Sequence, residues 1–272
     1  MKNGNIKIIF FGDIVGKPGR FALRDYLAAN KDQYDFVVAN IENASHGFGL
    51  TEKNYNEILD YGVDVMTCGN HIWDKKDIFT YIDNADKLVR PINYPKGTKG
   101  AGSRIVEKNG IKIGVINAMG RVFMNLLDSQ WEIVKNEIEE IKKVTPIVII
   151  DFHAEATAEK ICFGKYCSEF GTSAFFGTHT HVQTADEQII NGMAYITDAG
   201  FCGASDGVIG MDYNTSLSRF LTSIPERYEV AEGKITQVNA VEVEIDVNTG
   251  SAVSVKRVYL SSSKIEEEED EN

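Results

Sequence analysis

The stretch Gly177-Thr178-His179-Thr180-His181 holds two of the five histidines, one residue apart, directly after the apolar run Ser173 to Phe176. Two imidazoles at this spacing are either metal ligands or polar turn residues following a strand. On an extended backbone, residues i and i+2 face one side with Cα atoms about 6–7 Å apart. That spacing suits rings feeding two ions about 3.5–4 Å apart. A helix would splay the pair by about 200°. The metal reading thus goes with an extended segment that has both rings on one side, the other reading with a polar turn. Other apolar runs also stop in ligand chemistry: Gly12-Asp13, Glu42-Asn43, Gly69-Asn70-His71, and Asp151 with His153. Carboxylate and amide oxygens suit hard cations, and Glu42 has two oxygens with which to bridge a pair of ions. Each residue alone has an ordinary reading, Asp13 as a helix cap, Asn43 as a turn residue, His153 as a satisfied core histidine. Their recurrence at strand ends argues for a binuclear site. Oxygen donors with three imidazoles and no thiolate suit manganese, iron or zinc better than a structural sulfur site.

The elements that must position these groups follow from periodicity. Ile6 to Phe11, Phe36 to Ile41, Val63 to Thr67 and Ile147 to Phe152 are apolar runs of strand length. Helical patterns alternate with them over about Phe21 to Asn30, Thr51 to Tyr61, Lys75 to Asn84 and Ser129 to Val144. In the last, Trp131, Val134, Ile138 and Ile141 form an apolar stripe that reads as core. Ligands in open α/β sheets bind beyond the carboxyl ends of the strands, where Asp13 falls. If successive strands are neighbours in one sheet, their ends form a single cleft. Asn109-Gly110 and Asn191-Gly192 are hairpin turns. The pair Glu187 to Ile190 and Met193 to Thr197 points to a second sheet, continued by Val238 to Val247 and Ala252 to Leu260. The glycines at 12, 16 and 19 match neither the dinucleotide fingerprint nor the P-loop.

Composition sets the bounds. With 272 residues, 43% hydrophobic and 25% charged, the chain can bury one sizeable core, and no linker interrupts it. A single domain over residues 1–263 is expected, with residues 264–272 a disordered acidic tail. Of the formal net charge of −12, the tail carries −5 and the body −7. An acidic body argues against stable non-specific binding of nucleic acid. No apolar run approaches the roughly 20 residues of a membrane span, and the N-terminus has no secretory pattern. The cysteines at 68, 162, 167 and 202 form no CxxC pair and read as reduced thiols in a cytoplasmic protein. Cys162 and Cys167 are at most half of a zinc site. His46 and Arg121 read as solvated loop residues.

Taken in order, Gly12-Asp13, Glu42-Asn43, Gly69-Asn70-His71, His153 and the His179/His181 block resemble the calcineurin-like metallophosphoesterases. The fuller stretches GDIVGKPGR, FHAEATAEK and GTHTHVQTADE resemble the YmdB-like branch of that superfamily, over about Ile6 to Leu260. Two departures from the superfamily are informative. The usual Asp-x-His becomes Asp13-Ile14-Val15, and the usual bridging aspartate becomes Glu42 with Asn43 beside it.

The resemblance implies an α/β fold, a four-layer α/β/β/α sandwich of two mixed sheets flanked by helices. It also implies two metal ions per chain, iron or manganese, with zinc the other candidate. One ion would be held by Asp13, Glu42, Asn43 and His181, the other by Glu42, Asn70, His153 and His179, with Glu42 bridging. A metal-bridging hydroxide would attack the phosphodiester while His71 protonates the leaving alkoxide as general acid. The implied substrates are 2′,3′- or 3′,5′-cyclic nucleotides, small partners, and a homo-oligomer is compatible with the resemblance. Alternatives on the same residues are a phosphomonoesterase, an RNase, or a regulatory protein that senses a nucleotide or metal ion without turnover.

Overall fold

The computed structural model describes residues 4–263. The segment expected to be an acidic tail, 264–272, lies outside the described residues. The chain opens with β1 (Asn5–Phe11), β2 (Asp13–Ile14), α1 (Gly16–Asn30), β3 (Phe36–Asn40), α2 (Glu52–Tyr61), β4 (Val65–Thr67) and the short α3 (Ile78–Tyr81). A central portion follows: β5 (Ser103–Lys108), β6 (Ile111–Met119), α4 (Gln130–Lys142), β7 (Val148–His153), α5 (Thr157–Ser168) and β8 (Ala174–Thr178). The last part comprises β9 (Gln188–Ile190), β10 (Met193–Ile196), β11 (Phe201–Ala204), α6 (Tyr213–Thr222), β12 (Ile235–Asp246) and β13 (Ala252–Ser263).

The strands form two sheets. The 7-stranded sheet runs β2-β11-β12-β1-β3-β4, with β13 on the far side of β12, and the 6-stranded sheet runs β5-β6-β7-β8-β10-β9. Alternation sorts their side chains into layers. Ile6, Ile8 and Phe10 of β1 meet Val115, Ile149 and Phe176 of the other sheet in a shared core. There Phe10 and Phe176 stack with ring centroids 4.4 Å apart. Ile9 and Phe11 point the other way, onto Leu23 and Leu27 of α1 and Ile58 of α2. Ile150, Phe152 and Phe175 likewise face Val134 and Ile138 of α4 and Phe163 of α5. Helix, sheet, sheet and helix thus make the four-layer sandwich. Among the described residues no helix is long and apolar enough to cross a membrane.

Several local expectations change. The hairpins β9/β10 and β12/β13 belong to different sheets: β9/β10 extends the 6-stranded sheet beyond β8, while β12 pairs with β1 and β13. Helix α1 starts at Gly16, five residues before the expected Phe21, since Pro18 fits a first helical turn, where an N–H has no intrahelical partner. The helical pattern from Lys75 shrinks to α3 and one 3₁₀ turn, Ile82–Asn84. Helix α5 carries its apolar residues on no single stripe, burying Lys160 and Phe163 while leaving Cys162 exposed, so it has no clean period to read.

Candidate metal centre

Strands β1, β3 and β4 are parallel, as are β6, β7, β8 and β10. Their carboxyl ends therefore lie along one edge of each sheet, and the two edges meet. The cleft expected from one sheet is built from two. Asp13, Glu42, Asn43 and Asn70 follow β1, β3 and β4. His153 ends β7, and His179 and His181 follow β8.

The backbone carrying the last two histidines is not extended. His179 has φ 101° and His181 φ 61°, so the expected extended pair is corrected to a turn that aims the two rings separately. Each of the three site imidazoles has one nitrogen turned outward onto an oxygen. Thr178 Oγ1 donates to Asp151 Oδ1 (2.7 Å) and so accepts from His153 Nδ1 (2.9 Å). His179 Nε2 lies 3.1 Å from Glu155 Oε2, and His181 Nδ1 donates to Ile209 O at 2.9 Å. The nitrogens left over all face inward, the arrangement by which outer partners fix metal-ligating histidines.

What they face decides whether cations fit. His153 Nε2 is 3.1 Å from Glu42 Oε1, 3.1 Å from Asn70 Oδ1 and 3.0 Å from His179 Nδ1. One proton on that nitrogen satisfies one acceptor of the three; a cation satisfies all. Glu42, His153 and His179 each offer an atom within 4.8 Å of the others. Asp13 Oδ1 and Asn43 Oδ1 are buried with no hydrogen-bond partner, and Asp13 Oδ1 sits 3.8 Å from His181 Nε2. Buried orphan oxygens are costly unless something pairs them. The residues present therefore fit cations of the oxygen- and imidazole-seeking kind. Gly69 permits the close assembly: a Cβ there would lie 2.2 Å from His153 Cδ2 and 2.4 Å from Glu42 Oε2.

The electrostatics without metal show the same crowding. Burial pushes Glu42 up, but the charge and hydrogen bond of His153 outweigh it and hold the carboxylate down at about 2. Burial pushes His153 down, yet Glu42, then Asp13 and Asp151, raise it to about 9. His179 is pressed down to about 3 by burial and then by the charge of His153, so it stays neutral and ligand-ready. Burial raises Asp13.

His71 sits apart from this convergence. Its backbone N–H donates to Glu42 Oε2 at 3.0 Å, while its ring Nδ1 lies 2.8 Å from Asp74 Oδ2 and packs edge-on to Phe48. The ring is partly exposed at the rim, not buried among the donors. His46 and Arg121 are exposed. Sequence reasoning missed the outer partners Thr178 and Glu155, and Asp198, which accepts from Thr180 between the two histidines. Asp198 carried a readable signal, for it follows β10 as the other site residues follow their strands. Glu155 stood inside the quoted FHAEATAEK stretch without an assigned task.

This combination, donors on the meeting edges of a four-layer sandwich, is the metallophosphoesterase type of protein. Residues 9–258 match the family described as YmdB-like protein, and the chain belongs to that family. It is 47% identical over 259 residues to a 2′,3′-cyclic-nucleotide 2′-phosphodiesterase of Bacillus subtilis, covering 94% of this chain and 97% of that one. A crystal structure of a phosphatase from Mycoplasma pneumoniae superposes with TM-score 0.88 at 36% identity, over 95% of this chain and 94% of that chain. A Thermus thermophilus protein of known structure gives TM-score 0.88 at 35% identity, over 94% and 100% of the two chains.

Proposed function

We propose that the chain is a binuclear metal-dependent phosphodiesterase of 2′,3′- or 3′,5′-cyclic nucleotides, working in the cytoplasm. The hydrolase class rests on the family and on the name of the Bacillus subtilis relative. The observation that carries the mechanism is the set of three inward-turned imidazole nitrogens meeting buried, unpaired oxygens. In this reading Asp13, Glu42, Asn43 and His181 hold one ion and Glu42, Asn70, His153 and His179 the other. Iron or manganese is the expected metal, zinc the alternative. Two cations there would supply Lewis acidity toward the phosphate and lower the pKa of a bound water. The chain's own residues do the rest. Glu42 would lend its carboxylate to both ions, the outer partners of the histidines hold the ring tautomers, and His71, oriented by Asp74, gives a proton to the departing alkoxide. General acid catalysis of this kind contributes about 10²–10⁴-fold.

The test pairs metal analysis of the purified protein with turnover on 2′,3′- and 3′,5′-cyclic AMP, bis-p-nitrophenyl phosphate and p-nitrophenyl phosphate. Two ions per chain and turnover of a cyclic diester are the expected result. Turnover of the monoester alone would make the chain a phosphomonoesterase, and a metal-replete protein inert to all four would make it a sensor.

A further inference from the structure

The functional reading leaves unused a buried ion pair behind the metal-ligand turn. Lys160 of α5 and Asp198, which follows β10, are each 1% exposed, with Lys160 Nζ 2.6 Å from Asp198 Oδ2. The same oxygen accepts from Thr180 N at 3.1 Å and from Thr180 Oγ1 at 2.7 Å, and the other accepts from Gly200 N at 2.8 Å. Thr180 is the residue between the two histidines. The lysine stem runs under the turn itself, since a Cβ on Gly177 would lie 3.1 Å from Lys160 Cδ.

We propose that Lys160 and Asp198 are positioning residues that clamp the His179-Thr180-His181 turn, fixing where both imidazoles point. Three facts support this. The turn is unfavourable by itself, because His179 and His181 lie at φ 101° and 61°, a region that non-glycine residues keep only when their surroundings enforce it. The His179 N–H donates to Asp13 Oδ2 at 3.1 Å, but the middle of the turn is held by Asp198 alone among side chains: both donors of Thr180 go to the oxygen that also takes the lysine ammonium. A buried ion pair is also a poor device for stability alone, since desolvation opposes its attraction. Here it accepts from both donors of Thr180 and ties α5, β10 and the turn after β8 together beneath the ligands.

The inference rests on the metal-centre reading, so the wild-type protein is assayed first. If it binds no ion, that reading and this one fall together before any variant is made. Given metal-loaded wild type, two variants separate positioning from mere structure. Thr180→Val removes one donor of the clamp without changing any charge. The double variant Lys160→Met/Asp198→Asn removes both charges together, so that neither is left buried alone. Each is checked by circular dichroism and by the melting temperature of its metal-free form. Metal retention is then titrated with a chelator. The chelator concentration that strips half the metal should fall about 10–100-fold in the double variant, the usual range for lost outer partners of metal ligands. It should fall by a smaller factor in Thr180→Val. A folded double variant that keeps both ions as firmly as wild type overturns the proposal, even if its melting temperature drops. Should the double variant not fold, undiminished metal retention in Thr180→Val overturns it equally.

Discussion

Gly69→Ala tests the centre with a single methyl group. The new Cβ would stand 2.2 Å from His153 Cδ2, 2.3 Å from His153 Nε2 and 2.4 Å from Glu42 Oε2. Carbon atoms settle at about 3.5–4.0 Å, so these groups must retreat by more than about 1 Å. His153 and Glu42 are 0% and 1% exposed, leaving no space for retreat that preserves the geometry. Overpacking of this sort costs about 1–3 kcal/mol, which lowers the melting temperature of a domain of this size by about 2–12 °C. The functional loss should be larger than the stability loss suggests, because a misplacement of about 1 Å costs on the order of 10² in rate. Gly110→Ala is the control. Its Cβ meets nothing within 4 Å, yet φ there is 78°, so alanine costs about 1–2 kcal/mol in backbone strain alone. The two variants thus lose comparable stability, one inside the centre and one in a distant hairpin turn. Metal content, turnover of an aryl phosphodiester and melting temperature are measured for both. Metal and turnover should collapse in Gly69→Ala and stay intact in Gly110→Ala. Equal metal and turnover in the two would refute the assignment of Glu42 and His153 to one centre.

Three further outcomes are expected. Glu42→Gln should lose most of both ions, because one carboxylate is asked to serve two; retention of two tightly bound ions with full activity would rule out the bridge. His71→Ala should keep both metals and lose about 10²–10⁴ in turnover on an alkyl phosphodiester, with a much smaller loss on a p-nitrophenyl ester that departs without a proton. In contrast, His179→Ala and His181→Ala should lose metal and act alike on both esters. Removal of metal by chelation should lower the melting temperature by about 5–10 °C for a site filled at a hundred times its dissociation constant, and manganese or iron should restore it; an unchanged melting curve would argue against a metal held by the folded state.

The positions of the candidate ligands were legible because each stands where an apolar run ends, and the run's period gives away the strand. For Asp13, Glu42, Asn70 and His153 the strand ends gave the place, while the proposed ligand roles came from their recurrence and from the family resemblance. Which sheet each strand joins was not legible, since β12 pairs with β1 across most of the chain's length and no local pattern encodes so distant a partner. The turn at His179 escaped for a different reason. Its positive φ goes with tertiary contacts, Asp13 accepting from the His179 N–H and Asp198 from Thr180, which override the extended habit of a strand end. Lys160 was hidden by its own type, because lysine is seldom fully buried and α5 has no single apolar stripe to flag the face it occupies.

The division of the centre between two sheets also sets an order in time. Asp13, Glu42, Asn43 and Asn70 emerge early from a ribosome and offer oxygen atoms alone. The imidazoles at positions 153, 179 and 181 arrive well into the second half of the chain. A growing chain therefore carries the oxygen-bearing residues first, and oxygen and imidazole groups converge only when β8 has joined its sheet and the two sheets have met. The proposed centre is thus complete only once residue 181 has been added, two thirds of the way along the chain.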